Sequence, residues 1–171
     1  PSEWALLQGA CADWHLAIGN RSVSLAFFSA TALVLARELV FRLGGWAAMA
    51  GLAVYTFSPV CVQYSAYGLP EAGLGLFATL AMFSAERYRL VPAWKPILLS
   101  GVFTGIAASF KFHAVVLGAG CVAAAICANG EKLARFKHLV GAGIASALAF
   151  LIFTPTFWLV PKLAIGGLHD Q

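Results

Sequence analysis

Residues 139–160 read LVGAGIASALAFLIFTPTFWLV, an apolar run without a charged side chain that Pro155 interrupts near its end. A helix needs about 20 predominantly apolar residues to cross the hydrocarbon core of a bilayer. Apolar runs of the same kind recur along the chain, and the segments between them hold most of the charged residues. This stretch therefore predicts a membrane-spanning helix, and its recurrence predicts several of them.

Composition supports the same conclusion for the whole chain of 171 residues. It is 61% hydrophobic and 11% charged, with a mean hydropathy of +0.84, whereas an average soluble domain is about 45–50% apolar and about 25% charged. The net charge of +4 is too small for a surface that binds nucleic acid. The four cysteines form no CxxC pair, which argues against a metal or redox role. We predict an all-α, polytopic integral membrane helix bundle that has the lipid bilayer as its partner.

The apolar runs predict about six transmembrane helices and an N-terminal interfacial helix. Residues 1–20 carry two tryptophans, which favours an interfacial or outer-loop segment. We assign residues 21–161 to the transmembrane domain and residues 162–171 to an outer tail. Proline 59 is expected to kink the second span. The predicted spans cover about residues 22–39, 45–65, 70–85, 96–110, 113–128 and 139–160.

The basic residues predict the orientation. Cytoplasmic loops of membrane proteins carry an excess of lysine and arginine. Eight of the eleven basic residues fall in alternate loops of the predicted topology, which makes those loops cytoplasmic. The N-terminus and the remaining loops then lie outside the inner (plasma) membrane. The eight are Arg37, Arg42, Arg87, Arg89, Lys95, Lys132, Arg135 and Lys137.

Two charged residues, Glu71 and Lys111, fall at predicted outer ends of helices, where a site at the membrane surface would lie. Glu71 follows Pro70, so it either stabilises a helix N-terminus or supplies a carboxylate to a substrate or a metal. Lys111 either extends its ammonium group to the interface or binds a lipid-linked phosphate. The residue types alone leave both pairs of alternatives open.

Three further residues are candidates at the same predicted face. His113 follows Lys111 by two positions and could assist it or simply lie at the interface. Arg21 opens the first predicted span and is either a second phosphate ligand or an interfacial anchor. Tyr67 precedes Glu71 in the outer loop and is assigned to substrate binding. Separately, the spacing Gly101-x-x-x-Gly105 predicts close helix packing.

Several stretches resemble membrane glycosyltransferases of the GT-C class, specifically the dolichyl-phosphate-mannose–protein mannosyltransferase-like and RgtA/B/C/D-like groups. Residues 36–77, ARELVFRLGGWAAMAGLAVYTFSPVCVQYSAYGLPEAGLGLF, are similar to the family's middle helices, with Ser58-Pro59 and Pro70-Glu71 at corresponding places. Residues 101–111, GVFTGIAASFK, resemble a helix that ends in a lysine. The helix end Phe157–Pro161 is also similar, and the resemblance covers about residues 20–161.

This resemblance implies inverting transfer of a hexosyl or pentosyl group from a polyprenyl-phosphate carrier to an acceptor at the non-cytoplasmic face. Glu71 corresponds to an acidic position in the second outer loop, which sometimes works with a divalent metal. A metal, if one is used, is therefore assigned to Glu71, and no other cofactor is expected. Lys111 corresponds to a basic residue near the carrier phosphate.

The family's principal catalytic aspartate is not assigned to any residue of this chain. We therefore expect the chain to be part of an enzyme and inactive by itself. Two other functions remain open, a small multispan transporter subunit and a membrane scaffold without chemistry. A transporter would line a path across the bilayer with polar groups, and a scaffold would need Glu71 only as a helix cap and Lys111 only as an interfacial anchor.

Overall fold

The structure is a computed structural model that describes residues 3–67, 70–129 and 131–154, with the side chains of 3–16 and 64–67 outside that description. The described residues are helical apart from short connections, which confirms the predicted all-α membrane helix bundle. The elements are α1 (Glu3–Leu43), α2 (Gly45–Phe57), α3 (Pro59–Tyr67), α4 (Glu71–Leu90), α5 (Trp94–Phe110), the 3-10 helix η1 (Phe112–Leu117), α6 (Gly118–Cys127) and α7 (Lys132–Phe153).

Two of the described helices are long and apolar enough to cross a membrane, Ala17–Leu43 within α1 and Lys132–Phe153. Three shorter apolar helical stretches have 10–17 residues, Gly45–Phe57, Trp94–Phe110 and Phe112–Cys127. Short spans are accommodated by bilayer thinning or by anchoring side chains at the interface. The count of about six spans stays a prediction.

Helix α1 differs from the expected arrangement at the N-terminus. The sequence predicted an interfacial helix followed by a span that opens at Arg21, but α1 runs without interruption from Glu3 to Leu43. No proline occurs within these residues, and an isolated glycine such as Gly19 lowers helix stability by only about 1 kcal/mol. The interfacial role of residues 1–20 stays a prediction.

The second predicted span is two helices rather than one kinked helix. Helix α2 ends at Phe57, Ser58 adopts an extended conformation with ψ of 120°, and α3 begins at Pro59. The proline ring disfavours helical geometry in the preceding residue and removes one backbone donor. Proline therefore starts the new helix, a position where its missing N–H costs nothing.

Charged residues predicted to lie in loops extend two of the helices. Helix α4 continues to Leu90 rather than ending near residue 85, and α7 begins at Lys132 rather than near residue 139. In α4, the Arg89 guanidinium donates to both carboxylate oxygens of Glu86, with N···O distances of 2.8 and 2.6 Å. Pairs of opposite charge three residues apart stabilise a helix, so α4 continues past its apolar segment.

Residues Pro1–Leu76 form one compact unit, in which α1 packs against α2 and α3. Three buried polar residues of α1, Ser24, Thr31 and Glu38, recur every seven positions and share one face of the helix. The Thr31 hydroxyl donates to the Phe27 carbonyl at 2.8 Å. Glu38 accepts from Arg42 at 3.3 Å. Local partners of this kind reduce the cost of polar groups in an apolar interior.

Residues Phe77–Gln171 form the second unit, which is built around α5. Helix α5 packs most extensively against α7. A Cβ atom added at Gly101 would overlap the Ala142 carbonyl oxygen, and one added at Gly105 would overlap that of Ser146. The backbones of α5 and α7 are therefore in contact at both glycines, which confirms the predicted close packing.

A buried hydrogen bond adds α4 and α6 to this unit. The Ser100 hydroxyl of α5 donates to the Ala81 carbonyl of α4 at 2.8 Å. It also lies 3.0 Å from the Cys121 sulfur of α6. Both side chains are buried, so Cys121 serves packing, as its place in an apolar run predicts.

A polar cluster closes one end of the second unit. Tyr88 is fully buried, and its hydroxyl lies 3.1 Å from Nδ1 of His138. The Trp94 ring packs edge-on against the His138 ring at 4.3 Å. Burial raises the pKa of Tyr88, so its hydroxyl stays protonated and available to donate. The cluster connects α4, α5 and α7 at the face that the basic residues predict to be cytoplasmic.

Arg135 completes this end by capping α6. Its Nη1 donates to the carbonyls of Ala125, Ile126 and Ala128 at 3.1, 2.9 and 3.0 Å. The last carbonyls of a helix have no partner within that helix, and a nearby cation stabilises them. Arg135 thus fixes the C-terminus of α6 against α7.

We expect Arg135→Gln to lower the free energy of unfolding by about 2 kcal/mol, because hydrogen bonds to a charged donor contribute about 1.5–3 kcal/mol. Denaturant titration of the purified protein in detergent measures this loss. Lys137→Gln is the matched control, since Lys137 is an exposed cation on the same helix. Equal stability of the two variants would contradict a capping role for Arg135.

Candidate functional site

Lys111 lies where α5 ends and η1 begins. Its backbone is extended, with φ of −147° and ψ of 122°. Both of its backbone polar groups are nevertheless satisfied, because the Lys111 N–H donates to the Ala107 carbonyl at 3.3 Å and the Lys111 carbonyl accepts from Ala114 at 2.9 Å. Because Lys111 is a charged residue at a predicted outer end of a helix, where a site at the membrane surface would lie, this junction is a candidate site.

Aromatic residues on either side fix the position of the break. Phe110 stacks on Phe77 of α4, with ring centroids 5.9 Å apart. Phe112 packs edge-on against Phe150 of α7 at 6.2 Å. Two different helices therefore position the residues that flank Lys111, and the lysine side chain itself is half-buried.

An apolar cavity of about 450 Å³ begins at the same junction. Ala108 on the last turn of α5 and Phe112 directly after Lys111 both line it. The remaining lining residues come from α5, η1, α6 and α7 and are almost all small or apolar. Thr104 is an exception: it is buried, and its hydroxyl makes no hydrogen bond within the described part of the chain.

Lys111 was predicted from its charge, whereas no local pattern indicated this cavity or Thr104. A single threonine in an apolar helix is unremarkable as a sequence feature. The cavity itself exists because the fifth predicted span is not one helix. Residues 112–117 form η1, and only Gly118–Cys127 form an α-helix.

Glu71 occupies the first turn of α4, as predicted. The Pro70 carbonyl accepts the first helical hydrogen bond, from Leu74 at 3.0 Å. The Glu71 side chain is half-buried, and its Oε2 is buried. A carboxylate in this position interacts favourably with the helix dipole.

The structure describes the positions of the other predicted site residues to different extents. His113 lies exposed in η1, two positions after Lys111. Arg21 is exposed within α1, which continues on both sides of it, so Arg21 does not begin a separate helix; its role as a phosphate ligand or an anchor stays a prediction. The side chain of Tyr67 lies outside the described residues, although its backbone ends α3.

Lys111 and His113 share the α5–η1 junction, whereas Glu71 belongs to the first compact unit and Lys111 to the second. A site that contains both Glu71 and Lys111 remains a prediction. In the part of the chain that the structure describes, no three His, Cys, Asp or Glu residues form a group that could hold a metal ion. A single carboxylate is a poor cation site, so we derive no step through a metal.

Comparison with known proteins gives one result. A family model described as dolichyl-phosphate-mannose-protein mannosyltransferase matches residues 12–159. No curated protein and no solved structure gives a significant match. The matched region covers most of the chain and includes Arg21, Tyr67, Glu71, Lys111 and His113. The chain therefore belongs to the dolichyl-phosphate-mannose-protein mannosyltransferase family, a family of membrane glycosyltransferases.

Proposed function

We propose that this chain contributes to the transfer of a sugar from a polyprenyl-phosphate carrier to an acceptor at the non-cytoplasmic face of the inner membrane. The observation that carries the proposal is the junction of α5 and η1. It combines a half-buried lysine with an adjoining apolar cavity. A polyprenyl-phosphate sugar has the matching chemistry, an anionic phosphate joined to a long apolar chain.

Each candidate site residue has a proposed role that fits the chemistry of its side chain. The Lys111 ammonium binds the phosphate as a point charge, with His113 and Arg21 as further candidates for contacts to it. The cavity takes the first part of the isoprenoid chain, since its lining is almost entirely apolar. Tyr67 contributes to binding the sugar or acceptor.

The proposed reaction is a single displacement at the anomeric carbon. The Glu71 carboxylate accepts the proton of the acceptor hydroxyl, whose oxygen forms the new bond to the anomeric carbon. The bond from that carbon to the phosphate oxygen breaks, and polyprenyl phosphate leaves with the electron pair. Lys111 stabilises the charge that develops on the phosphate. One displacement inverts the configuration of the sugar.

We expect Lys111→Gln to weaken binding of polyprenyl phosphate at least about tenfold, because a hydrogen bond to a charged group contributes about 1.5–3 kcal/mol. Displacement of a fluorescent polyprenyl-phosphate probe from the purified protein measures the dissociation constant. Lys111→Arg keeps the charge and should retain most of the affinity.

Lys95→Gln is the control for this measurement. Lys95 is exposed in α5, at the end opposite to Lys111. The Lys95→Gln variant should bind the probe with the same dissociation constant as the unchanged protein. Equal affinities for Lys111→Gln and Lys95→Gln would contradict the proposal, and so would equal binding of polyprenol without a phosphate.

A further inference from the structure

A second crevice lies between α6 and α7, near the C-terminus of α6, and shares Val122 and Leu139 with the first cavity. It has a volume of about 270 Å³. Two cations, Lys132 and Arg135, line it together with the apolar residues Val122, Ala125, Ile126, Phe136 and Leu139. Cations and apolar side chains thus share one crevice at the membrane face that the basic residues predict to be cytoplasmic.

Both cations have capacity to bind an anion. Lys132 is exposed on the first turn of α7. Arg135 uses Nη1 to cap α6, and its buried Nε makes no hydrogen bond within the described residues. The nearest opposing charge in sequence is the exposed Glu131. The residues 131–138 nevertheless carry a net positive charge, because Lys137 adds a third cation.

The apolar side chains beside these cations are strongly exposed. Ile126 is 70% exposed, and Leu133 and Phe136 are each 64% exposed. Exposed apolar side chains favour an apolar neighbour over water, and the acyl chains of a bilayer provide one. A phospholipid that binds here can therefore place its phosphate on the cations and its acyl chains against these apolar side chains. A free phosphate in solution has no acyl chain to make the second contact.

We propose that the crevice between α6 and α7 binds an anionic phospholipid of the membrane, with the phosphate on Lys132 and Arg135 and an acyl chain along Ile126 and Phe136. Basic pockets between membrane helices on the cytoplasmic side bind anionic lipid headgroups. The bound lipid joins the ends of α6 and α7 and so stabilises the second unit. This proposal does not depend on the sugar-transfer reaction.

The test compares lipids added to the purified protein in a neutral detergent. Phosphatidylglycerol is expected to remain bound in native mass spectrometry and to raise the melting temperature. Phosphatidylcholine, which carries no net charge, should do neither. Glycerol phosphate supplies the anionic group without acyl chains and should not compete with phosphatidylglycerol. Competition by glycerol phosphate, or equal retention of phosphatidylcholine, would overturn the proposal.

Two substitutions in α7 distinguish a specific lipid-binding site from non-specific electrostatic attraction. Lys132→Gln removes a cation of the crevice, whereas Lys137→Gln removes an exposed cation that does not line it. Lys132→Gln should lower the apparent affinity for phosphatidylglycerol about fivefold, the effect expected for one basic residue near an anionic surface. Lys137→Gln should change it less than twofold. Equal losses in both variants would overturn a specific site.

Phe136→Ala tests the apolar half of the crevice. The side chain is exposed, so its truncation should leave the fold intact, which circular dichroism checks. The Phe136→Ala variant should bind phosphatidylglycerol more weakly than the unchanged protein. Adding Lys132→Gln to this variant should lower the affinity by the same factor as it does in the unchanged protein. Unchanged phosphatidylglycerol binding by Phe136→Ala would place the acyl chain elsewhere and overturn the assignment.

Discussion

Replacing Gly105 by alanine should lower the free energy of unfolding by about 3 kcal/mol, at the upper end of the usual cost of overpacking an interior. The added Cβ would overlap the Ser146 carbonyl oxygen and lie 2.9 Å from the Ala149 Cβ. Neither neighbour is the end of a flexible side chain, so α5 and α7 must separate. Thermal or denaturant unfolding of the purified protein in detergent measures the loss.

Gly143→Ala is the matched control for this experiment. Gly143 lies within α7, and a Cβ added there meets nothing within 4 Å. This substitution should leave stability unchanged or raise it by up to about 1 kcal/mol, because alanine favours a helix over glycine. If both variants unfold alike, the contact of the α5 and α7 backbones is contradicted.

Much of the fold could be predicted because hydrophobic runs and basic residues are direct signals of membrane helices. The all-α bundle follows from such signals, the close approach at Gly101 and Gly105 from their four-residue spacing, and the first-turn position of Glu71 from the preceding proline. Helix boundaries could not be predicted well. The apolar run defines the part of a helix that contacts lipid, whereas Arg89 and Lys132 continue helices beyond it.

The candidate site could be predicted only one residue at a time. Lys111 is conspicuous as a charge within an apolar stretch, but its extended backbone depends on how Phe110 and Phe112 pack on different helices. The cavity beside it depends on three elements packing around α5. Long-range packing of this kind leaves no local pattern, and Thr104 and the crevice at Arg135 were missed for the same reason.

Under the proposed function, Glu71→Gln should lower the rate of sugar transfer at least about 100-fold, because loss of a general base typically costs 10²–10⁴-fold. The measurement uses membranes that contain the protein, supplied with a radiolabelled polyprenyl-phosphate sugar. Glutamine keeps the size of the side chain and removes its ability to accept the proton. Glu71→Asp keeps the carboxylate on a shorter side chain and should retain part of the activity.

Stability measurements decide between this role and a helix cap. A carboxylate in the first turn of a helix contributes about 0.3–1 kcal/mol through the helix dipole, so Glu71→Gln should lower stability only by that amount. A cap alone predicts the same small loss of stability with the transfer rate nearly unchanged. A base predicts a small loss of stability together with a large loss of rate, and the pH dependence of the remaining activity should lose its acidic limb. Full activity in Glu71→Gln would therefore leave Glu71 as a structural residue and remove it from the proposed reaction.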